Sequence, residues 1–505
     1  MAGPITELPD ELNICIIEEL GSDLAALRCL ALTNKTYQAL TEPILYRSLF
    51  LRKGFESKNI LHALHTGACR SKSVRSIEAR LEIDATTDLH CSLARILRRT
   101  TNLEELIIES PYCNNATWRS EAAGGPWASL MEELLLPIAE AYGRDMRGLP
   151  LYRGVPGPPP LQRLTSLTLH LNGDGKEFWT VRGVSAYIFT HSALENLHIS
   201  SANLGHVGGT WEHVALAPGT PLKRLTLDEC NVTAAALVTI LSLPKALEYL
   251  YIGETRYSRI EESQGCNQLC ARDPKAFFSA LHQQHRTLQT LIYEPTETRG
   301  VHAHASANSS FGDFREMRTI EITAACPLIQ KLLLSDLTAP PNLVRLAVRE
   351  ISLLLLYTHQ ISQSGVPSSV FSAVSVLPKL KELEFTYRTD LSWEDHFDSY
   401  PELEDVIKKY GKTLKGRGIA MRMWRIGSHH SVVRPILYGE KMEPDTLDYE
   451  NDETGFRVEI AAGRVSDDDS DWDTEEDDMD EGPYEDNDVS SEDSPSEDES
   501  EMNDE

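Results

Sequence analysis

Ten times between Ser73 and Phe385 the chain repeats one short phrase: an apolar residue, two variable ones, then apolar-x-apolar. The copies are NLEELII at 102, RLTSLTL at 163, ALENLHI at 193, PLKRLTL at 221, ALEYLYI at 246, TLQTLIY at 287, EMRTIEI at 316, LIQKLLL at 328, NLVRLAV at 342 and KLKELEF at 379. Side chains alternate along an extended backbone, so the last two apolar residues of each copy point the same way and require a shared core. One such strand cannot bury its face alone, and a helix or loop must return the chain to start the next. The expected fold class is α/β, with stacked copies forming an irregular solenoid; the other reading is that the phrase marks buried strands of an unrelated α/β fold. Intervals run from about 12 to 60 residues, many near 25 to 30. Insertions break the array at roughly 111–160, 256–276 and 294–314, carrying Trp118, Trp127, GVPGPPP at 154 and HAHASANSS at 302. Long loops on a rigid stack are where recognition concentrates, and they are equally read as disordered and inert.

The first fifty residues follow another period. Leu8, Leu12, Ile16 and Leu20 fall four apart and share one face of a short helix whose first turn holds Pro9, Asp10 and Glu11. After Gly21, Leu24, Leu27, Leu30 and Ala31 form a second stripe, with Ser22 or Asp23 able to cap its exposed amides. Thr33 and Asn34 start a third helix, which carries Tyr37 and Leu40 and is expected to end at Pro43 before the extended run ILYRSLFL. About forty residues bury little apolar surface alone, so such a unit leans on a partner or on the domain behind it.

The order LPxELxxxIIxxL, then DLxxLxxLxLTNKxYxxLxxPxLYRSL, resembles the F-box, and the ending Tyr46, Arg47, Ser48, Leu49 is like that of its fungal members, although their frequent Trp near Tyr37 is missing. The resemblance implies docking onto the Skp-family adaptor of an SCF-type cullin-RING ubiquitin ligase. Leu8, Pro9, Leu12, Ile16, Leu20, Leu24, Leu27 and Pro43 are the adaptor-binding residues it points to, with Leu24, Leu27 and Leu30 partly core. The alternative is an ordinary helical cap on the larger domain. The repeated phrase likewise resembles leucine-rich repeats, in which an Asn or Cys after the strand satisfies backbone groups in the turn; Cys230, Asn231 and Asn203 are the candidates.

The net charge of −29 is uneven: 22 acids and no Lys or Arg lie between Ser466 and Glu505, leaving −7 for residues 1–465. That tail cannot offset the entropy of ordering its backbone and is expected to be disordered. Ser466, Ser470, Thr474, Ser490 and Ser496 each have an acid three residues on, a setting favoured by acidophilic kinases. Lys408, Lys409, Lys412, Lys415, Arg417, Arg422 and Arg425 form a basic cluster before it, read as a solvated helix face or as a surface the tail could cover. The expected divisions are an adaptor-binding domain at 1–50, repeats at 51–391, a C-terminal cap at 392–445 and an acidic tail at 446–505.

Nine cysteines, an odd number with none in the tail, do not suit a secreted disulfide framework. No basic, apolar leader opens the chain, and the most apolar run, Ile351 to Tyr357, is too short to span a bilayer. A soluble protein of cytoplasm or nucleus is expected, with no membrane or nucleic-acid partner. Cys266, Cys270, His282 and His285 approach a zinc-finger spacing but fall one residue short in both later gaps, and the histidines are expected on an amphipathic helix. Gly411, Lys412 and Thr413 lack the glycine a phosphate-binding loop needs, Val406 standing there instead. No catalytic residue, metal or cofactor is expected. The functional expectation is a receptor that binds adaptor and ligase core at one end and a protein substrate on its repeats. The alternative is an acidic-tailed scaffold for basic partners such as histones.

Overall fold

Nine of the ten phrases run into a β-strand, and each strand hydrogen-bonds to the next in one large sheet. A computed structural model describes residues 9–21, 23–51, 54–80, 87–109, 134–138, 161–170, 179–181, 183–205, 219–254, 269–295, 310–323, 333, 338–351, 377–388, 401–426, 446–451 and 455–456. These belong to a unit spanning Met1–Arg457; the second unit, Val458–Glu505, lies outside the described residues, as do Leu8 and the five tail hydroxyls.

The strands are β1 (Ser48–Leu51), β2 (Ser76–Arg80), β3 (Glu105–Glu109), β4 (Ser166–His170), β5 (Trp179–Thr180), β6 (Asn196–Ser200), β7 (Ala202–Leu204), β8 (Arg224–Val232), β9 (Tyr249–Glu254), β10 (Thr290–Glu294), β11 (Thr319–Thr323), β12 (Arg345–Ile351), β13 (Glu382–Arg388), β14 (Ala420–Ile426), β15 (Thr446–Glu450) and β16 (Gly455–Phe456). The sheet follows chain order except that β5 and β7 pair beside it; β1 to β14 are parallel, and β15 and β16 turn back antiparallel. The molecule is thus mixed α/β with a large, mostly parallel sheet.

Register comes from the phrase. Leu106, Leu167, Leu197, Leu225, Leu250, Leu291, Ile320, Leu346, Leu383 and Met421 align strand to strand. Shifting any strand by one residue would turn this column to solvent, so burial locks the alignment. The leading apolar residues, Leu103, Leu164, Leu194, Leu222, Leu247, Leu288, Met317, Leu343 and Leu380, are buried in the same core.

Helices cover the apolar face of the sheet. After the N-terminal three come α4 (Gly54–Thr66), α5 (Ala68–Ser73), α6 (Thr87–Arg99), α7 (Ala234–Ser242), α8 (Leu269–Arg272), α9 (Pro274–His282) and α10 (Pro401–Lys415), with a 3-10 helix at Gly183–Thr190. Ile96 and Leu97 of α6, Leu237 and Leu241 of α7, Phe277 and Leu281 of α9, and Ile407 and Leu414 of α10 join the core of the strands. Thr233 and Asp273 accept bonds from the Ala236 and Ala276 amides, capping α7 and α9.

Several expectations are corrected. The phrase at 328 does not make a strand where it is described, since Leu333 is helical and buried. The insertions are narrower than read: Leu134, Leu135 and Ile138 of the first, Leu269 and Cys270 of the second, and Phe311 and Phe314 of the third are buried core. The segment read as a cap adds another helix and parallel strand. The sheet continues through Thr446–Glu450 and Gly455–Phe456, within the segment read as acidic tail. There, Asp448 accepts a hydrogen bond from the Tyr387 hydroxyl, and Asn451 fits its side chain to three backbone groups: Met421 N at 2.7 Å, Gly411 O at 3.0 Å and Ile419 O at 3.0 Å.

Candidate functional site

Three helices precede the sheet: α1 (Asp10–Glu19), α2 (Leu24–Ala31) and α3 (Lys35–Leu45). Asp23 caps α2 by accepting from the Ala26 amide at 2.9 Å, and Asn34 caps α3 by accepting from the Tyr37 amide at 2.9 Å. Pro43 does not end α3 as expected: it forgoes only its own amide bond, and the helix runs two residues further until Tyr46 N bonds Glu42 O at 3.0 Å. The trio has its own small core of Ile17, Leu27 and Tyr37, separate from that of the sheet, with Leu20, Leu30, Leu40, Ile44 and Leu45 packed around it.

Because Asn13 and Ile17 take the inward face of α1, Leu12 and Ile16 are turned outward. Leu12 is 51% exposed, Ile14 39%, Ile16 47%, Leu24 48% and Leu32 87%; among the described residues, these are all the exposed large hydrophobics. Isolated apolar side chains on a surface need no explanation, but Leu12 and Ile16 lie one turn apart on the same face of α1, whereas Ile14 stands on another side of that helix.

The predicted set divides. Pro9, Leu12, Ile16, Leu24 and Pro43 are exposed, and Leu20 is half-buried against the small core. Leu27 is corrected: it is fully buried and holds the three helices together, so it cannot meet a partner. Ile14 and Leu32, outside that set, are exposed as well. Leu32 follows α2 directly, where it reads as one more member of the apolar stripe although its helix has already ended.

Arg70 of α5 joins that helix to α3 of the trio. Its guanidinium lies 2.5 Å from the Glu42 carboxylate of α3 and 5.3 Å from the Tyr46 ring centre, and this hydrogen bond holds the Glu42 carboxyl below its usual range. The Arg47 carbonyl accepts from Arg75 N at 2.8 Å, which leads the chain into β2.

The face of the sheet away from the helices carries a lateral chain of ion pairs. Arg349 reaches Glu294 at 2.8 Å and also pairs with Glu321; Arg345 lies 2.5 Å from Glu384; Arg422 lies 2.7 Å from Glu450 and 3.4 Å from Glu384. The basic cluster therefore does not form one patch. Lys408, Lys409, Lys412 and Lys415 are exposed on α10, whereas Arg422 and Arg425 pair with acids across β13 to β15. Within β7, Asn203 accepts from Gly205 N at 2.9 Å and from the Asn231 side-chain amide of β8 at 3.4 Å, and the buried Cys230 thiol of β8 donates to Asp228 O at 3.3 Å. Burial pushes the Cys230 thiol far up, which makes it inert.

The zinc-like quartet is not assembled as one group where it is described. Cys270 is buried, with its amide on the Tyr293 hydroxyl, while His282 is half-exposed beside Asp313 at 3.3 Å; Cys266 lies outside the described residues. No group of three or more His, Cys, Asp or Glu suited to a metal occurs among the described residues. None of their helices is long and apolar enough to cross a membrane. No family model matches the chain, and no curated protein gives a significant match.

Proposed function

We propose that the chain is the substrate-recognition subunit of an SCF-type ubiquitin ligase, with an F-box over its first fifty residues and a leucine-rich-repeat solenoid behind it. The observation that carries this reading is the exposure of Leu12 and Ile16 on one face of α1, with Leu24 exposed on α2, in a helical trio with a separate core. Support comes also from the motif order in the first fifty residues and from β3, β4, β6 and β8 to β13, which pair in chain order and each follow one copy of the phrase. On this reading the chain supplies position rather than chemistry: the adaptor binds the trio, a protein substrate binds the sheet or its insertions, and holding both raises the effective concentration of substrate at the ligase.

The test is co-purification of full-length protein with a Skp-family adaptor, comparing wild type with Leu12→Asp/Ile16→Asp. Both side chains are exposed, so the variant is expected to fold with an unchanged melting midpoint and to lose adaptor binding. Wild type that does not bind the adaptor would overturn the reading and favour the scaffold role, in which acidic residues 466–505 hold a basic partner.

A further inference from the structure

The helical trio and the sheet have separate cores, and α3 runs into β1 through Tyr46 and Arg47 alone. Residues at the ends of elements can absorb changes in φ and ψ and serve as a hinge, so this link fixes where the trio attaches and leaves its bearing to side chains. Tyr46 packs against the sheet's core, and beside it α3 meets α5.

The helix α5 belongs to the sheet's side of that joint. Val74, directly after it, and Leu64 of α4 are buried in the sheet's core, and the Asn102 side-chain amide, in the turn before β3, donates to Lys72 O of α5 at 2.7 Å. Arg70 reaches out from this anchored helix. Its guanidinium lies 2.5 Å from Glu42 Oε1 of α3, 3.4 Å from Ala63 O of α4 and 5.3 Å from the Tyr46 ring centre. Gln38, one turn before Glu42, donates to the same Oε1 at 2.8 Å and braces the carboxylate. Gly67 leaves the room that Arg70 uses: a Cβ there would lie 2.8 Å from Arg70 Cδ and 3.1 Å from its Cγ. Exposed ion pairs contribute little, but the Arg70 and Glu42 side chains are only 22% and 21% exposed, and a charge-assisted bond from a planar fork of donors is both stronger and directional.

We propose that Arg70 is the positioning residue that sets the bearing of the helical trio on the sheet, holding the outward apolar face of α1 at one fixed angle to the strands. Contact at Tyr46 alone would tether the trio, whereas Arg70 adds a second point on α3, one turn earlier, and so fixes a direction. The clamp does not depend on the ligase reading; under that reading it fixes the direction in which a substrate held on the sheet faces from the adaptor.

The test measures the distance between spin labels carried by noncanonical residues at the exposed positions Ala25 of α2 and Arg95 of α6, in full-length protein, by double electron–electron resonance. The otherwise native chain would be compared with Arg70→Met and with Gly67→Ala, which displaces the guanidinium while leaving both charges in the chain. Circular dichroism and the melting midpoint would report folding. The expected result is one narrow distance distribution in the native background and a distribution at least twice as wide in both variants, with an unchanged midpoint. A distribution in Arg70→Met as narrow as the native one overturns the proposal, and so does a lowered midpoint with no change of width, the mark of a merely structural role. Should Arg70→Met not fold, Gly67→Ala is judged by the same outcomes. No adaptor is present in this measurement, so its result stands apart from that of the co-purification.

Discussion

Residues of one chemical type do opposite work in the helical trio. Leu27 and Leu12 are both leucines at helical spacing, but the first is fully buried and the second half-exposed. Leu27→Ala should cost about 2–5 kcal/mol of the stability of the trio, whereas Leu12→Ala should leave it nearly unchanged; chemical denaturation followed by a probe within residues 1–50 measures both. His191 supplies a pH dependence. Its Nδ1 accepts from Ala193 N at 3.2 Å, so its Nε2 donates to Leu161 O at 3.1 Å, and the buried ring is held neutral with its titration pushed down to about 4. Since the folded value lies below the unfolded one, the neutral ring contributes its stability fully above about pH 6.5. That contribution is lost as pH falls from there towards 4, with a ceiling on the order of 3 kcal/mol for this one residue. Urea midpoints measured from pH 7 to 4 should fall, and His191→Gln should flatten the decline. Gly411, which a motif search picks out beside Lys412 and Thr413, has a packing explanation: a Cβ there would collide with the Tyr449 hydroxyl and lie 2.9 Å from the ring carbon Cζ. Helix propensity favours Ala over Gly by about 1 kcal/mol, but overpacking costs about 1–3 kcal/mol, so Gly411→Ala should destabilise, and Tyr449→Ala in the same chain should remove most of the penalty. Thermal melts of the single and double variants give the coupling.

At the scale of elements, the strands were legible and their fastenings were not. The phrase Leu-x-x-Leu-x-Leu located β3, β4, β6 and the six strands that continue from β8 to β13, because alternation and burial are local consequences of residue order. It did not locate β14, where Gly418, at φ +73°, replaces the leading apolar residue. Nor did it show Gln284, whose buried amide accepts from Leu247 N at 3.0 Å and donates to Leu241 O at 2.8 Å and Pro244 O at 2.9 Å, joining the end of α9 to the turn before β9. Nothing in a lone glutamine announces partners about forty residues away. Gln284→Met should destabilise by about 1–3 kcal/mol for each backbone group left unpaired, and Asn451→Leu should do the same at the end of the sheet; melting of each variant checks this. The ion pairs across β10 to β15 escaped notice for the same reason: only the register sets Arg349 between acids of two other strands.

Over the whole described unit there are two cores of unequal size, one running under the sheet from Leu49 to Tyr449 and one confined to Ile17, Leu27 and Tyr37. Local stability follows buried contact, so amides of α1 and α2 should exchange with solvent well before those of β8 to β11; native-state hydrogen exchange resolves the two, and equal protection would contradict the separation. The residue order by itself determined the strand phrases, the helical trio with a cap at Ser22 or Asp23 and a start at Thr33 and Asn34, and the composition that sets residues 466–505 apart. These are properties of period, cap chemistry and charge that act over a few residues. Tertiary structure alone decided which apolar faces stay open, that Leu27 is core while Leu12 and Ile16 are surface, that the sheet continues to Phe456, and that Arg70 meets Glu42. Each of those outcomes depends on what packs against a residue from far along the chain, and periodicity carries no information about the neighbour across the gap.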